Sequence, residues 1–310
     1  MADSLRLAWF RGLTGAVQRN GSATDAFLSS KANTVVSANP DEFRLFSGDP
    51  RDVAAYFANE ADRFASASFE SVLTGGRSEA FPRSTAWLLI RCYYAAFFAL
   101  HSLLRIKGVA CTRVANVSLN SVNRDAASLF GQTSAYTGGL YIFTLENDSR
   151  TVVCKKLDQR LGGTHEMLWS QLHSYLADLV ATVLAGSNED HQEFVVLVDS
   201  FQQVLNARGG EKWFTRLRND VNYSHTRGTW FPYRGTTTDY NRISQAIDGW
   251  SMAPMPLVSE ADELVQFTGA CKFLVSTCAT TVRDINFRSV ARSPFQVSSG
   301  LLLKNTPQRP

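Results

Sequence analysis

Residues 85–104 read TAWLLIRCYYAAFFALHSLL, and the placement of this stretch decides the fold. At about 20 residues it is long enough to cross a bilayer. Arg91 and His101 interrupt it, and a charge deep in a lone span is costly. A helix apolar on all sides is equally at home in a protein core or a subunit interface. The reading taken is a buried core helix in a protein with no membrane association. Pro82 with Ser84 starts it, it runs to about Ile106, and Gly108 stops it.

Working outward, DVAAYFANEADRFASASFESVL from residue 52 sets Val53, Tyr56, Phe57, Phe64 and Phe69 at near-helical spacing before Gly75-Gly76. Residues 1–50 carry the breakers Asn20-Gly21, Asn39-Pro40 and Gly48-Asp49-Pro50 and no sustained apolar period, so they read as an arm or cap. Residues 109–139 read mostly as loop, with a short helix near 123–130. Residues 140–145 and 151–156 are β-branched and aromatic around the turn composition Glu146-Asn147-Asp148-Ser149, which predicts one β-hairpin.

Beyond Gly162-Gly163, Leu168, Leu172, Tyr175, Leu176, Leu179 and Val183 recur at helical steps up to Gly186. Further helices are expected over about 190–206, from Glu211 onward, and from a Ser259 cap to Phe287, with a Trp-, Tyr-, Pro- and Gly-rich loop over about 228–256. The expectation is an all-α bundle with a small inserted hairpin at about 139–157. It divides into an arm at 1–50, a helical domain at 51–290 and a mobile tail at 291–310.

The chain of 310 residues is 45% apolar and 19% charged, which excludes wholesale disorder. Thirty-one Lys and Arg against 28 Asp and Glu leave a net charge of +3, too little for a polybasic nucleic-acid binder, so any such contact is local. Cys92, Cys111, Cys154, Cys271 and Cys278 form no C-x-x-C pair. That argues against a disulfide framework or zinc site and for a reducing cytoplasm, and the start of the chain does not read as a signal peptide. His165-Glu166 with His173 lacks zincin geometry, so no metal and no cofactor are expected, and no nucleophile elbow is present.

The segment EKWFTRLRNDVNYSHTR begins at Glu211. In it Arg218 and His225 lie nearly two α-helical turns apart, about 10 Å along one face. A guanidinium offers a planar fork to phosphoryl oxygens, and imidazole exchanges protons near neutral pH. Asn219 adds a neutral donor and acceptor. Arg160 also precedes a histidine, His165, but Gly162-Gly163 between them makes a continuous helix improbable, and His165 is placed at the entry of the next helix. Lys212, Arg216, Arg227 and Arg234 surround the motif, interleaved with Trp230, Phe231 and Tyr233. Lys212, Arg216, Arg227, Trp230 and Tyr233 are the candidate RNA contacts. The same residues also suit a structural role, Arg216 in a surface ion pair and Trp230 to Tyr233 capping the core.

An Arg followed by Asn and then by a His, Arg218-Asn219-Asp220-Val221-Asn222-Tyr223-Ser224-His225, resembles the motif of the HEPN superfamily, many members of which are endoribonucleases. The helix with Tyr93-Tyr94-Ala95-Ala96-Phe97 is similar to an early core helix of that family. Arg227 stands where toxin-type relatives carry a tyrosine two positions after the His. The resemblance implies metal-independent RNA cleavage through 2′-hydroxyl attack, with His225 as base or acid and Arg218 on the phosphate. It also implies a homodimer with a composite site, a toxin or antiviral role, and an inhibitory or activating protein partner. The alternatives are a non-catalytic HEPN-like protein that binds a nucleotide or partner, and a helical scaffold or regulatory subunit.

Overall fold

The computed structural model describes residues 1–19, 24–73, 84–158, 163–185, 191–236, 238–257 and 259–306. The breakers Asn20-Gly21 and Gly75-Gly76, the start at Pro82, Arg160, Gly162, Gly186, Asp190 and the last four residues lie outside them. In chain order the first elements are α1 (Ala2–Arg6), α2 (Thr24–Leu28), β1 (Asn33–Asn39), β2 (Glu42–Ser47), α3 (Pro50–Leu73) and α4 (Thr85–Ile106). After these come β3 (Val109–Val114), α5 (Asn120–Phe130), β4 (Gly139–Leu145), β5 (Thr151–Lys156), α6 (Thr164–Ala185), α7 (His191–Ala207) and α8 (Lys212–Asn219). A single π-helical turn (Asp220–Ser224), α9 (Tyr240–Ile247), α10 (Glu263–Arg288), α11 (Pro294–Val297) and α12 (Ser299–Lys304) complete the order.

The helix α4 is at the centre of the core. Ser84 caps α4 by accepting from the Trp87 amide. Most of α4's side chains are buried, packed chiefly against α3 and α10. Among the described residues it is the one helix long and apolar enough to span a bilayer, and its surroundings are those of a core helix. Gly108 ends it at φ +88, and a Cβ there would sit 3.0 Å from that of Leu145. Both the turn and the close approach therefore require glycine, and the chain passes directly into β3.

The protein is mainly helical but not all-α. Its strands form one antiparallel sheet in the order β1-β2-β5-β4-β3. The predicted hairpin is correct as a hairpin, yet it supplies two inner strands rather than an isolated insertion. The residues read as an arm contribute β1 and β2, joined by the two-residue turn Pro40-Asp41, with Phe43 and Leu45 buried. The segment read mostly as loop holds β3 and α5. The sheet escaped the periodicity because β2 pairs with β5 more than a hundred residues away, and strand pairing across that distance leaves no local trace.

Three further differences have local causes. The last long helix begins after Asp262, whose carboxylate accepts from the Leu264 and Val265 amides, and not at Ser259. The aromatic loop contains α9, capped by Asp239 through the Arg242 amide. The stretch read as a mobile tail packs back on the body through Phe295 and Leu303, both buried.

The five cysteines are buried and free. Inside the helical core, His101 stacks on Phe64 at 4.4 Å and accepts from the Arg105 Nη1 at 3.0 Å through Nδ1. An arginine can only donate, so the imidazole proton sits on Nε2. Burial, and then the charges of Arg105 and Arg63, hold the His101 pKa well below its ordinary value. The folded state thus refuses a proton that the unfolded chain takes up below about pH 6.5, and stability falls on acidification by up to about 1.4 kcal/mol per pH unit for this histidine. Urea unfolding between about pH 7 and pH 5 checks this: His101→Gln, which retains an acceptor for Arg105, is expected to flatten the pH dependence. An equally steep profile in the variant would refute the assignment.

Candidate functional site

Three helices meet in two stacked layers. On α6, His165 and Trp169 are four residues apart; on α8, Phe214 and Arg218 are too, so each pair shares a helix face. In the inner layer Trp169 stacks on Phe214 at 4.1 Å and 6°. The outer layer holds His165 and Arg218. Tyr93 of α4 spans both, accepting from the Trp169 Nε1 at 3.0 Å and meeting His165 Nδ1 at 2.8 Å.

Arg218 is half-buried among tyrosines. Its guanidinium carbon lies 6.0, 5.9 and 5.4 Å from the rings of Tyr93, Tyr94 and Tyr223. Nη1 donates to Asn219 Oδ1 at 2.9 Å and Nη2 to the Tyr94 hydroxyl at 3.0 Å, while Nε has no acceptor. Among the described residues no carboxylate pairs with it. Burial works against the charge, and the Tyr94 hydroxyl and neighbouring rings outweigh it, leaving the pKa above the ordinary arginine value. The group is therefore a fixed cation with donors unspent.

The hydroxyl of Tyr93 settles the state of His165. An indole N–H only donates, so the Trp169 bond uses a lone pair of Tyr93. Burial pushes the phenol pKa up to about 12, so the hydroxyl keeps its proton; Thr215 Oγ1 has no hydrogen-bond partner, and His165 Nδ1 is the acceptor within hydrogen-bonding distance for that proton. Burial, and then the Arg218 charge, lower the His165 pKa, with Glu166 opposing. The ring is neutral, with its proton on Nε2. That nitrogen has no partner among the described residues and is not one of the buried unpaired atoms.

His225 sits elsewhere on the same unit. After α8 the backbone widens into the π turn, so rotation per residue drops below the about 100° of an α-helix. His225 ends the turn in left-handed conformation at φ +53. It is exposed, with its ring 6.1 Å from that of Trp230. The cause is competition for carbonyls: the Trp230 Nε1 donates to Val221 O at 2.6 Å and Ser224 Oγ to Asp220 O at 2.8 Å. Arg218 and His225 therefore do not share the straight helical face that their spacing implied. Asn219 is in contact with Arg218, and His165, which sequence reasoning set aside, is in the cluster.

Of the other candidates, Arg227 is held by Asp220 at 2.9 Å and Glu263 at 2.5 Å, so its fork is spent within the fold. Arg216 donates to the Arg208 carbonyl. Lys212 and Arg216 are exposed and, four residues apart, share a face; Arg216 diverges from Arg218 by about 200° around the helix axis. Trp230 packs edge-on against Trp87 at 5.5 Å. Tyr233 lies edge-on to the exposed Phe231. Trp87 and Tyr223 are also exposed, at 58% and 70%, and of these rings Trp230 is the one beside His225.

A depression of about 840 Å³ lies between α2, α3 and β3 and includes Asp25, Glu60, Asp62, Arg63 and Arg113. Of its acids, which also include Glu70, Asp25, Glu60 and Asp62 are taken by Ser118, Arg63 and Ser299. Among the described residues no three His, Cys, Asp or Glu side chains are grouped to hold a metal ion. No protein-family model matches the chain, and neither the curated proteins nor the solved structures yield a match.

Proposed function

We propose that the protein is an endoribonuclease of HEPN type, in which Arg218 holds the scissile phosphodiester and His225 exchanges protons. The observation that carries this reading is the half-buried guanidinium of Arg218, free of any carboxylate among the described residues, on the same helical unit as an exposed imidazole. The 2′-oxygen bonds to phosphorus as its proton passes to an imidazole. The P–O5′ bond then breaks and the departing 5′-oxygen takes up a proton, leaving a 2′,3′-cyclic phosphate and a 5′-hydroxyl. Because the substrate brings its own nucleophile, the protein has to align it, move protons and stabilise phosphoryl charge. The exposed rings of Trp87, Tyr223, Phe231 and Tyr233 suit stacking on unpaired bases. A homodimeric composite site and a toxin or antiviral role under a protein partner's control follow from the resemblance, and a cytoplasmic location from the unpaired cysteines.

The test is purified protein with single-stranded RNAs in EDTA. Cleavage to 2′,3′-cyclic phosphate ends is expected, and Arg218→Ala and His225→Asn should each slow it by on the order of 10²-fold or more. Asparagine tolerates left-handed backbone, so the His225 variant reports chemistry rather than folding. Cleavage that survives both substitutions, or that requires added divalent metal, would refute the mechanism. The π turn, which takes His225 off the Arg218 face, favours a second reading: a non-catalytic nucleotide-binding protein. That reading predicts intact RNA with wild type and Arg218-dependent binding of nucleotides.

A further inference from the structure

Resting on the reading that this site takes an RNA phosphodiester, we infer that His165 is a further catalytic residue, whose Nε2–H donates a hydrogen bond to the phosphoryl oxygen held by Arg218. Tyr93 is its positioning residue. The inference stands on a chain of donors that runs one way. Trp169 donates to Tyr93, Tyr93 donates to His165 Nδ1, and the only proton left on the imidazole points from Nε2. Tyr93 and Tyr94 bridge His165 and Arg218: their rings lie 5.7 and 5.9 Å from the imidazole centroid and 6.0 and 5.9 Å from the guanidinium carbon, and the Tyr94 hydroxyl accepts from Arg218 Nη2.

A neutral imidazole locked as a donor does not compete with His225 for the 2′-hydroxyl proton. It does what a backbone amide does in an oxyanion hole: it meets charge that grows on a non-bridging oxygen as phosphorus becomes five-coordinate, at no reorganisation cost. A locked donor also explains why tyrosine, rather than a carboxylate, backs the ring. A carboxylate would draw the proton to Nδ1 and turn Nε2 into an acceptor, repelled by phosphoryl oxygen.

The experiment compares wild type with His165→Ala, His165→Gln, His165→Asn and Tyr93→Phe, each checked for folding by circular dichroism. The glutamine amide nitrogen reaches about where Nε2 lies, whereas that of asparagine falls short. His165→Ala and His165→Asn are expected to lower kcat/KM on single-stranded RNA by on the order of 10²-fold, carried in kcat, with His165→Gln recovering most of it. Imidazole ¹H–¹⁵N correlation spectra should show His165 as the neutral Nε2–H form, with the preference lost in Tyr93→Phe. Titration with adenosine 3′-monophosphate separates this inference from the nuclease reading. If RNA is untouched but binding weakens in both Arg218→Ala and His165→Ala, the nuclease reading fails and the paired donor site stands. The inference is overturned if His165→Ala stays within about twofold of wild type in cleavage and in nucleotide binding, or if wild-type His165 is an imidazolium or an Nδ1–H tautomer at neutral pH.

Discussion

Arg105→Ala is expected to lower the unfolding free energy by about 3–5 kcal/mol, a large share of what a domain holds in reserve. The side chain is 1% exposed and joins three parts of the fold. Nη1 donates to His101 Nδ1 at 3.0 Å and to its carbonyl at 3.1 Å; Nη2 donates to the Cys111 carbonyl at 3.1 Å. Its guanidinium carbon lies 4.4 Å from the Phe64 ring centroid, and Nε lies 3.9 Å from Glu60 Oε2. Cys111 belongs to β3, an edge strand of the sheet, so Arg105 takes up a carbonyl of a sheet edge from the end of the central helix.

Truncation leaves that carbonyl and the imidazole nitrogen unpaired and opens a cavity, each a recognised source of large loss. Arg105→Met separates the two by refilling volume without donors. It is expected to fall between wild type and alanine, about 1–3 kcal/mol below wild type from the unsatisfied acceptors alone. Urea denaturation measures both. A loss under about 1 kcal/mol in the alanine variant would show that the helix layer and the sheet hold together without this side chain.

The contrast between helix layer and sheet also separates what was legible in the sequence from what was not. The extents of α3, α4 and α6 were readable because apolar side chains at three- and four-residue steps are a local consequence of burying one face. The β4–β5 hairpin was readable because its two strands are neighbours in the chain. β1 and β2 were not: Asn39-Pro40 reads as loop punctuation, yet a breaker between two short alternating runs is also how a tight hairpin looks. In the site, Arg218 was legible from its polar setting at a helix end. His165 was not, because its partners Tyr93 and Arg218 lie on two other helices. The available hint was Trp169 one turn after a histidine at a helix start, facing a tyrosine pair in the core helix. The π turn was hidden too, since the Trp230 side chain that diverts the Val221 carbonyl lies beyond the turn.

Trp169→Ala should cost about 3–5 kcal/mol, in the range of buried aromatic truncations, and Trp169→Phe much less. Trp169 is 1% exposed, and its stack on Phe214 joins α6 to α8. Removing the ring leaves a void under the outer layer, and His165, one turn before Trp169, and Arg218, one turn after Phe214, lose the floor that sets their separation. Alanine is therefore expected to depress both stability and any activity at Arg218. Phenylalanine is the informative variant. It keeps a ring on Phe214 but removes the indole N–H, which leaves the Tyr93 oxygen short of a donor and lets His165 Nδ1–H supply one. Stability should then change by about 1 kcal/mol, the worth of one buried hydrogen bond, while the His165 tautomer preference weakens. Thermal unfolding and imidazole nitrogen shifts of one sample read the two effects apart. Were Trp169→Phe to leave the His165 proton fixed on Nε2, the direction of the donor chain would have to be set by something other than the indole.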